Sequence, residues 1–131
     1  MKYLGIDYGS KFVGIAISDG DGTIAFPRIE IENDEKLLSF LVRMIEQEKV
    51  EGIVVGDTRT VSGTGNSVTP EAENFMNKLA QLSAVPIERA SEAWSSIEAS
   101  RYAPKGEQHN NAAAAAIILQ RFLDMRGNAL Q

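Results

Sequence analysis

The sequence predicts a mixed α/β fold: a five-stranded sheet, three antiparallel strands first and parallel strands after them, flanked by helices. Three observations carry this. Short β-rich runs at residues 2–7 and 12–18 are joined by Tyr8-Gly9-Ser10-Lys11, a spacing that suits a hairpin. A third run, Thr23 to Ile31, follows the turn signal Asp19-Gly20-Asp21-Gly22. Beyond it, helical segments alternate with apolar runs, as in sheets built from αβ units.

Each element has a local reason. Pro27 cannot donate to a ladder, so the third run belongs at a sheet edge. Asn33 is placed to cap a helix over residues 34–49, with Leu37, Leu38, Leu41, Met44 and Ile45 on one face. Gly52 to Gly56 is wholly apolar, as in a central strand covered on both sides. Residues 58–68 read as a polar, glycine-bearing loop. Thr69-Pro70-Glu71 starts a helix with a cap, a first-turn proline and an acid at the positive dipole end, and that helix runs to about Leu82. Val85 to Arg89 is short and strand-like, and Ser95-Ser-Ile-Glu98 is a capping-box pattern. Residues 104–109 read as a loop. Five alanines after Asn110-Asn111 open a last helix that should stop near Gly127, the alanines forming a close-packing face.

At 131 residues with 44% apolar content, the chain builds one ordinary core, so residues 1–131 are expected to form a single domain. The absence of cysteine excludes disulfides, thiolate catalysis and sulfur-ligated zinc, and suits a cytoplasmic location. An acid arrives at residue 7, too soon for a secretory signal, and no apolar stretch is long enough to span a membrane. Thirteen basic against eighteen acidic side chains leave a net charge of −5, which disfavours unspecific attraction to a polyanion. Nucleic acid then requires a local basic surface, or metal ions bridging acids to phosphates.

Asp7 supplies the strongest chemical signal. It closes an otherwise apolar strand, where an ionised carboxylate costs several kcal/mol of desolvation unless a cation or hydrogen bonds meet it. Ligands of α/β sheets collect at the carboxyl ends of strands near a switch in strand order. Three acids fall at such ends: Asp7 after the first strand, Asp57 after the run 52–56, and Glu92 just beyond the strand at 85–89.

Asp7-Tyr-Gly-Ser-Lys11 with Gly14 and Ala16, Val54-Val-Gly56, Glu92 with Trp94-Ser-Ser, and Ala-Ala-Ala-Ile-Ile-Leu-Gln120 with Phe122-Leu-Asp124 together resemble the YqgF family. Its members are Holliday-junction-resolvase-like nucleases of the ribonuclease H superfamily. The resemblance runs through nearly the whole chain in order, so it is far more specific than Asp-x-Gly alone. It implies a ribonuclease H-like sheet, a magnesium or manganese cofactor, and hydrolysis of phosphodiester bonds in structured nucleic acid. The substrate class it implies is a ribosomal RNA precursor or branched DNA.

Carried over by position, the first family acid falls on Asp7 and the second on Glu92. The third, nine residues before the final glutamine of the Ile-Leu-Gln motif, falls on Asn111. That is a departure from the family's carboxylate: a neutral carbonyl ligand removes a negative charge from the metal cage and cannot act as a base. Ser91 and Ala93 also depart from the aspartate and arginine that many members carry there. Asp57 is placed to compensate as a fourth metal ligand, and Lys11 and Arg59 are the candidate phosphate contacts.

Each assignment has a plainer rival. Asp7 could bind turn amides, Asp57 could cap a loop, Glu92 could be an exposed acid before a helix, and Asn111 is an ordinary helix cap residue. Lys11 and Arg59 could be solvated surface cations, His109 an exposed loop residue, and Trp94 a packing residue. Three functions follow. The leading one is a metal-dependent nuclease; the alternative is a catalytically weakened module that binds nucleic acid or protein. An ATP-binding relative of sugar kinases and actin shares the opening hairpin, but 131 residues give at most one of the two lobes those proteins use.

Overall fold

A computed structural model describes residues 1–56, 70–89 and 111–129, with side chains to Arg126. Strands β1 (Tyr3–Asp7), β2 (Phe12–Ser18) and β3 (Ala25–Glu32) come first, followed by helix α1 (Leu37–Glu48) and strand β4 (Gly52–Gly56). Helix α2 (Pro70–Leu82), strand β5 (Ile87–Arg89) and helix α3 (Asn111–Ala129) complete the described elements. The sheet order is β3-β2-β1-β4-β5. Strands β1, β2 and β3 pair antiparallel, whereas β1 with β4 and β4 with β5 are parallel. This is the sheet expected from the sequence.

Strand alternation divides the core between two faces. Leu4, Ile6, Val13, Ile15, Ile53 and Val55 pack with Leu37, Leu41, Phe75 and Leu79 of α1 and α2. On the opposite face, Tyr3, Ala16 and Val54 meet Ala115, Ile118, Leu119 and Leu123 of α3. Central β1 and β4 are buried along their whole length, which explains why neither shows a polar alternation. No helix among the described residues is long and apolar enough to cross a membrane.

Several boundaries differ from the expectations. Helix α1 starts at Leu37 rather than residue 34, and Lys36 is its N-cap without a side-chain cap bond. Asn33 instead donates its Nδ2–H to the Gly9 carbonyl at 2.8 Å, while its backbone N–H donates to the Lys11 carbonyl at 2.8 Å. It ties the β1–β2 turn to the start of the α1 segment, a non-local use of a residue that reads locally as a cap. Strand β3 starts at Ala25 rather than Thr23, and Pro27 lies opposite Ala16 beside a register shift on the edge strand. Helix α3 continues past Gly127 to Ala129. The capping-box segment at 95–98 lies outside the described residues.

Asp19 explains the late start of β3. Its Oδ1 accepts the backbone N–H groups of Thr23 at 2.8 Å and Ile24 at 3.2 Å, and its Oδ2 accepts the Thr23 hydroxyl at 2.8 Å. Those amides are thus held by a turn. The Thr23 backbone bond, followed by those from Ile24 and the Thr23 hydroxyl, holds the Asp19 carboxyl below its ordinary 3.8. A depressed folded-state pKa stabilises the fold above the unfolded value and loses that contribution as pH falls through the folded one. The urea midpoint of Asp19→Ala should therefore lie below wild type at pH 6, and the difference should close as pH falls below 3.8.

Gln120 fastens the same turn to α3. Its Oε1 accepts the Ala25 N–H at 2.9 Å, and its Nε2 donates to the Thr23 carbonyl at 2.9 Å and to Asp124 Oδ1 at 3.0 Å. Both polar ends of the amide are used. The glutamine closing the Ile-Leu-Gln motif therefore has a structural role, since it satisfies edge-strand backbone groups from the helix above.

Candidate active site at the end of strand β1

Asp7 ends β1 and is 2% exposed. Its neighbours across the sheet are Gly14 on β2 and Gly56 on β4, so no side chain flanks it in that row from either adjoining strand. Glu30 on β3 lies opposite Gly14, which puts Glu30, Gly14, Asp7 and Gly56 in one row. Partners in a row face the same side of the sheet. By the alternation from Tyr3 and Gly5, that side is the one α3 covers.

Two glycines set how closely α3 approaches. A Cβ on Gly5 would lie 2.7 Å from Leu119 Cβ and 3.0 Å from the Ala115 carbonyl oxygen, and one on Gly14 would lie 1.8 Å from the Asn111 carbonyl oxygen. Residues 111, 115 and 119 form one helical stripe, so the glycines provide the seat for that stripe. The first residue of α3 is thereby set against Gly14, Asp7's partner on β2. The N-terminal end of a helix also carries partial positive charge, which offsets part of the cost of burying Asp7.

Asn111 Nδ2 lies 2.6 Å from Glu30 Oε1. A carboxylate without a proton only accepts hydrogen bonds, so the amide must turn its nitrogen toward Glu30. The structure thus brings Asp7, Asn111 and Glu30 to one end of the sheet. Sequence reasoning missed Glu30, since a charged residue on an edge strand reads as a solvated face; its partner is 81 residues away in the chain.

Lys11 is exposed in the β1–β2 turn beside this end, and Asn33 fixes the turn's backbone from two positions. The Tyr8 N–H donates to the Gly56 carbonyl at 2.9 Å, joining the ends of β1 and β4. The Tyr8 ring meets Phe75 at 4.9 Å, so the residue after Asp7 is anchored on the opposite face. Asp57, Arg59, Glu92, Trp94 and His109 lie outside the described residues. Among the described residues, no three acids or imidazoles group as a metal site.

Residues 1–125 match the family model described as RuvX: Holliday junction resolvase. A relative from Oleidesulfovibrio alaskensis, named "Putative pre-16S rRNA nuclease", is 39% identical over 101 residues, covering 76% of this chain and 70% of its own. One of the same name from Maridesulfovibrio salexigens is 36% identical over 132 residues, covering 94% of this chain and 98% of its own. Among solved structures, T. thermophilus RuvC in complex with a Holliday junction substrate is similar with a TM-score of 0.60 at 12% identity, covering 97% of this chain and 96% of that one. At that identity the likeness is one of fold, and it is the ribonuclease H-like fold expected from the sequence.

Proposed function

We propose that this chain, which belongs to the RuvX family of Holliday junction resolvases, is a divalent-metal-dependent nuclease of structured nucleic acid. Its substrate class is a ribosomal RNA precursor, as the names of its relatives suggest, or branched DNA, as the family description suggests. The observation that carries the reading is Asp7, a buried carboxylate at a strand end, paired with the Gly14 against which the first turn of α3 sits.

The donor chemistry fits magnesium or manganese. Asp7 and Asn111 offer hard oxygen donors, and the chain contains no cysteine to favour a softer ion. In this reading Asp7 and Glu92 are the charged ligands, Asn111 is a neutral one, and Asp57 is the further carboxylate that offsets the charge Asn111 lacks. When bound, such cations supply an activated water and stabilise charge on the leaving oxygen. Asp7 needs little adjustment to hold its position, because its backbone is paired on both sides. Asn111 can orient but cannot take a proton, so no step assigns it base chemistry. Lys11 and Arg59 contact substrate phosphates as cations.

A direct test incubates four-way-junction DNA and a 5′-extended 16S precursor RNA with the protein, in magnesium and in EDTA. Cleavage of at least one, in magnesium only, is expected. Saturable binding of either without cleavage in magnesium or manganese would instead support the weakened binding module, for which the amide at 111 is the motive. Neither binding nor cleavage would overturn the nuclease and the nucleic-acid-binding module alike, and leave only a protein-binding one.

A further inference from the structure

The Glu30–Asn111 pair is outside the ligand set carried over from the family, and it changes what Asn111 means. Glu30 reaches Asn111 from the edge strand, while Asp7 lies on the other side of Gly14 in the same row. Because Nδ2 is committed to the Glu30 side, the oxygen of the planar amide is turned off that side. A carboxylate at 111 would instead bring two anions to hydrogen-bond distance, a like-charge contact that disfavours this geometry.

We propose that Glu30 is a positioning residue: by accepting the Asn111 Nδ2–H it fixes the amide with its carbonyl oxygen presented for metal binding with Asp7. Position 111 and position 30 then form a matched pair. The amide is not simply a lost acid; it is the side chain that fits beside Glu30. This rests on the reading of Asp7 and Asn111 as members of the metal site.

The test is manganese binding by titration calorimetry with the full chain, comparing wild type, Glu30→Ala, Glu30→Gln and Asp7→Asn. Glu30 is exposed on the edge strand, and circular dichroism checks that each variant is folded. Loss of an outer hydrogen-bond partner commonly weakens metal affinity about tenfold or more, and that loss is expected for Glu30→Ala. Glu30→Gln keeps an acceptor oxygen without the charge, so it should stay within about twofold of wild type, set against the Glu30→Ala loss. Equal loss in both variants would overturn positioning, because charge or direct ligation by Glu30 would then account for the effect. Wild-type affinity in Glu30→Ala, alongside loss in Asp7→Asn, would overturn the positioning role while leaving the site standing. Unchanged binding in Asp7→Asn would remove the site and the proposal with it.

Discussion

Asp7→Asn should lower magnesium-dependent cleavage about a hundred- to a thousandfold while leaving the protein folded. The magnitude follows from the position. A preorganised electrostatic group in a water-poor site is worth roughly 10²- to 10³-fold in rate, and Asp7 is 2% exposed. The substitution keeps shape and removes charge, so packing against α3 is retained. In metal-free buffer the melting temperature should not fall far, because a neutral amide is less costly to bury than a carboxylate. In magnesium the two proteins should separate: ligand at a hundredfold excess over Kd stabilises the wild type by about 2.7 kcal/mol and the variant by much less. Thermal melts with and without magnesium, run beside the cleavage assay, measure both effects. Full cleavage by Asp7→Asn would remove Asp7 from the chemistry.

Gly14→Ala is expected to be the most damaging methyl group that could be added near the site. Its Cβ would fall 1.8 Å from the Asn111 carbonyl oxygen, 2.1 Å from the carbonyl carbon and 2.7 Å from the Ala112 nitrogen. All three are backbone atoms, so no side-chain rotation relieves the contact. Either the start of α3 lifts from the sheet or β2 shifts beneath it. Overpacking costs about 1–3 kcal/mol, and the cost here should reach the top of that range or exceed it. Because lifting α3 also moves Asn111 away from the Asp7 row, manganese affinity should fall together with stability. Urea denaturation and manganese titration check the pair of effects. Gly20→Ala is the control, since nothing lies within 4 Å of a Cβ there.

Apolar runs made most of the sheet legible. Residues 52–56 announce a buried parallel strand because both of its faces are covered, and the hairpin spacing of β1 and β2 needs only local turn chemistry. Two of the misread boundaries share a physical cause. Asn33 and Thr23 are judged locally from sequence, yet Asn33 answers to Gly9, and Thr23 to Asp19 and Gln120. Glycine at 127 suggested a helix end, but α3 continues through it to Ala129.

The site divides in the same way. Asp7 could be found from one strand, because charge at the end of an apolar run is costly wherever the chain goes. Asn111 came forward only through the family resemblance, since an asparagine before alanines is ordinary. Glu30 gave no signal, because its significance depends on a helix that packs across β2 from far along the chain. Gly14 was visible as a motif residue, while its purpose, admitting the backbone of α3, needed three dimensions.

As proposed, Asp7 and Asn111 hold a divalent cation in common. Anomalous diffraction from a crystal of the wild-type protein soaked in manganese tests it most directly. A peak is expected within coordination distance of an Asp7 carboxylate oxygen and Asn111 Oδ1, at about 2–2.5 Å from each. Manganese bound elsewhere on the chain, with none at Asp7, would contradict it.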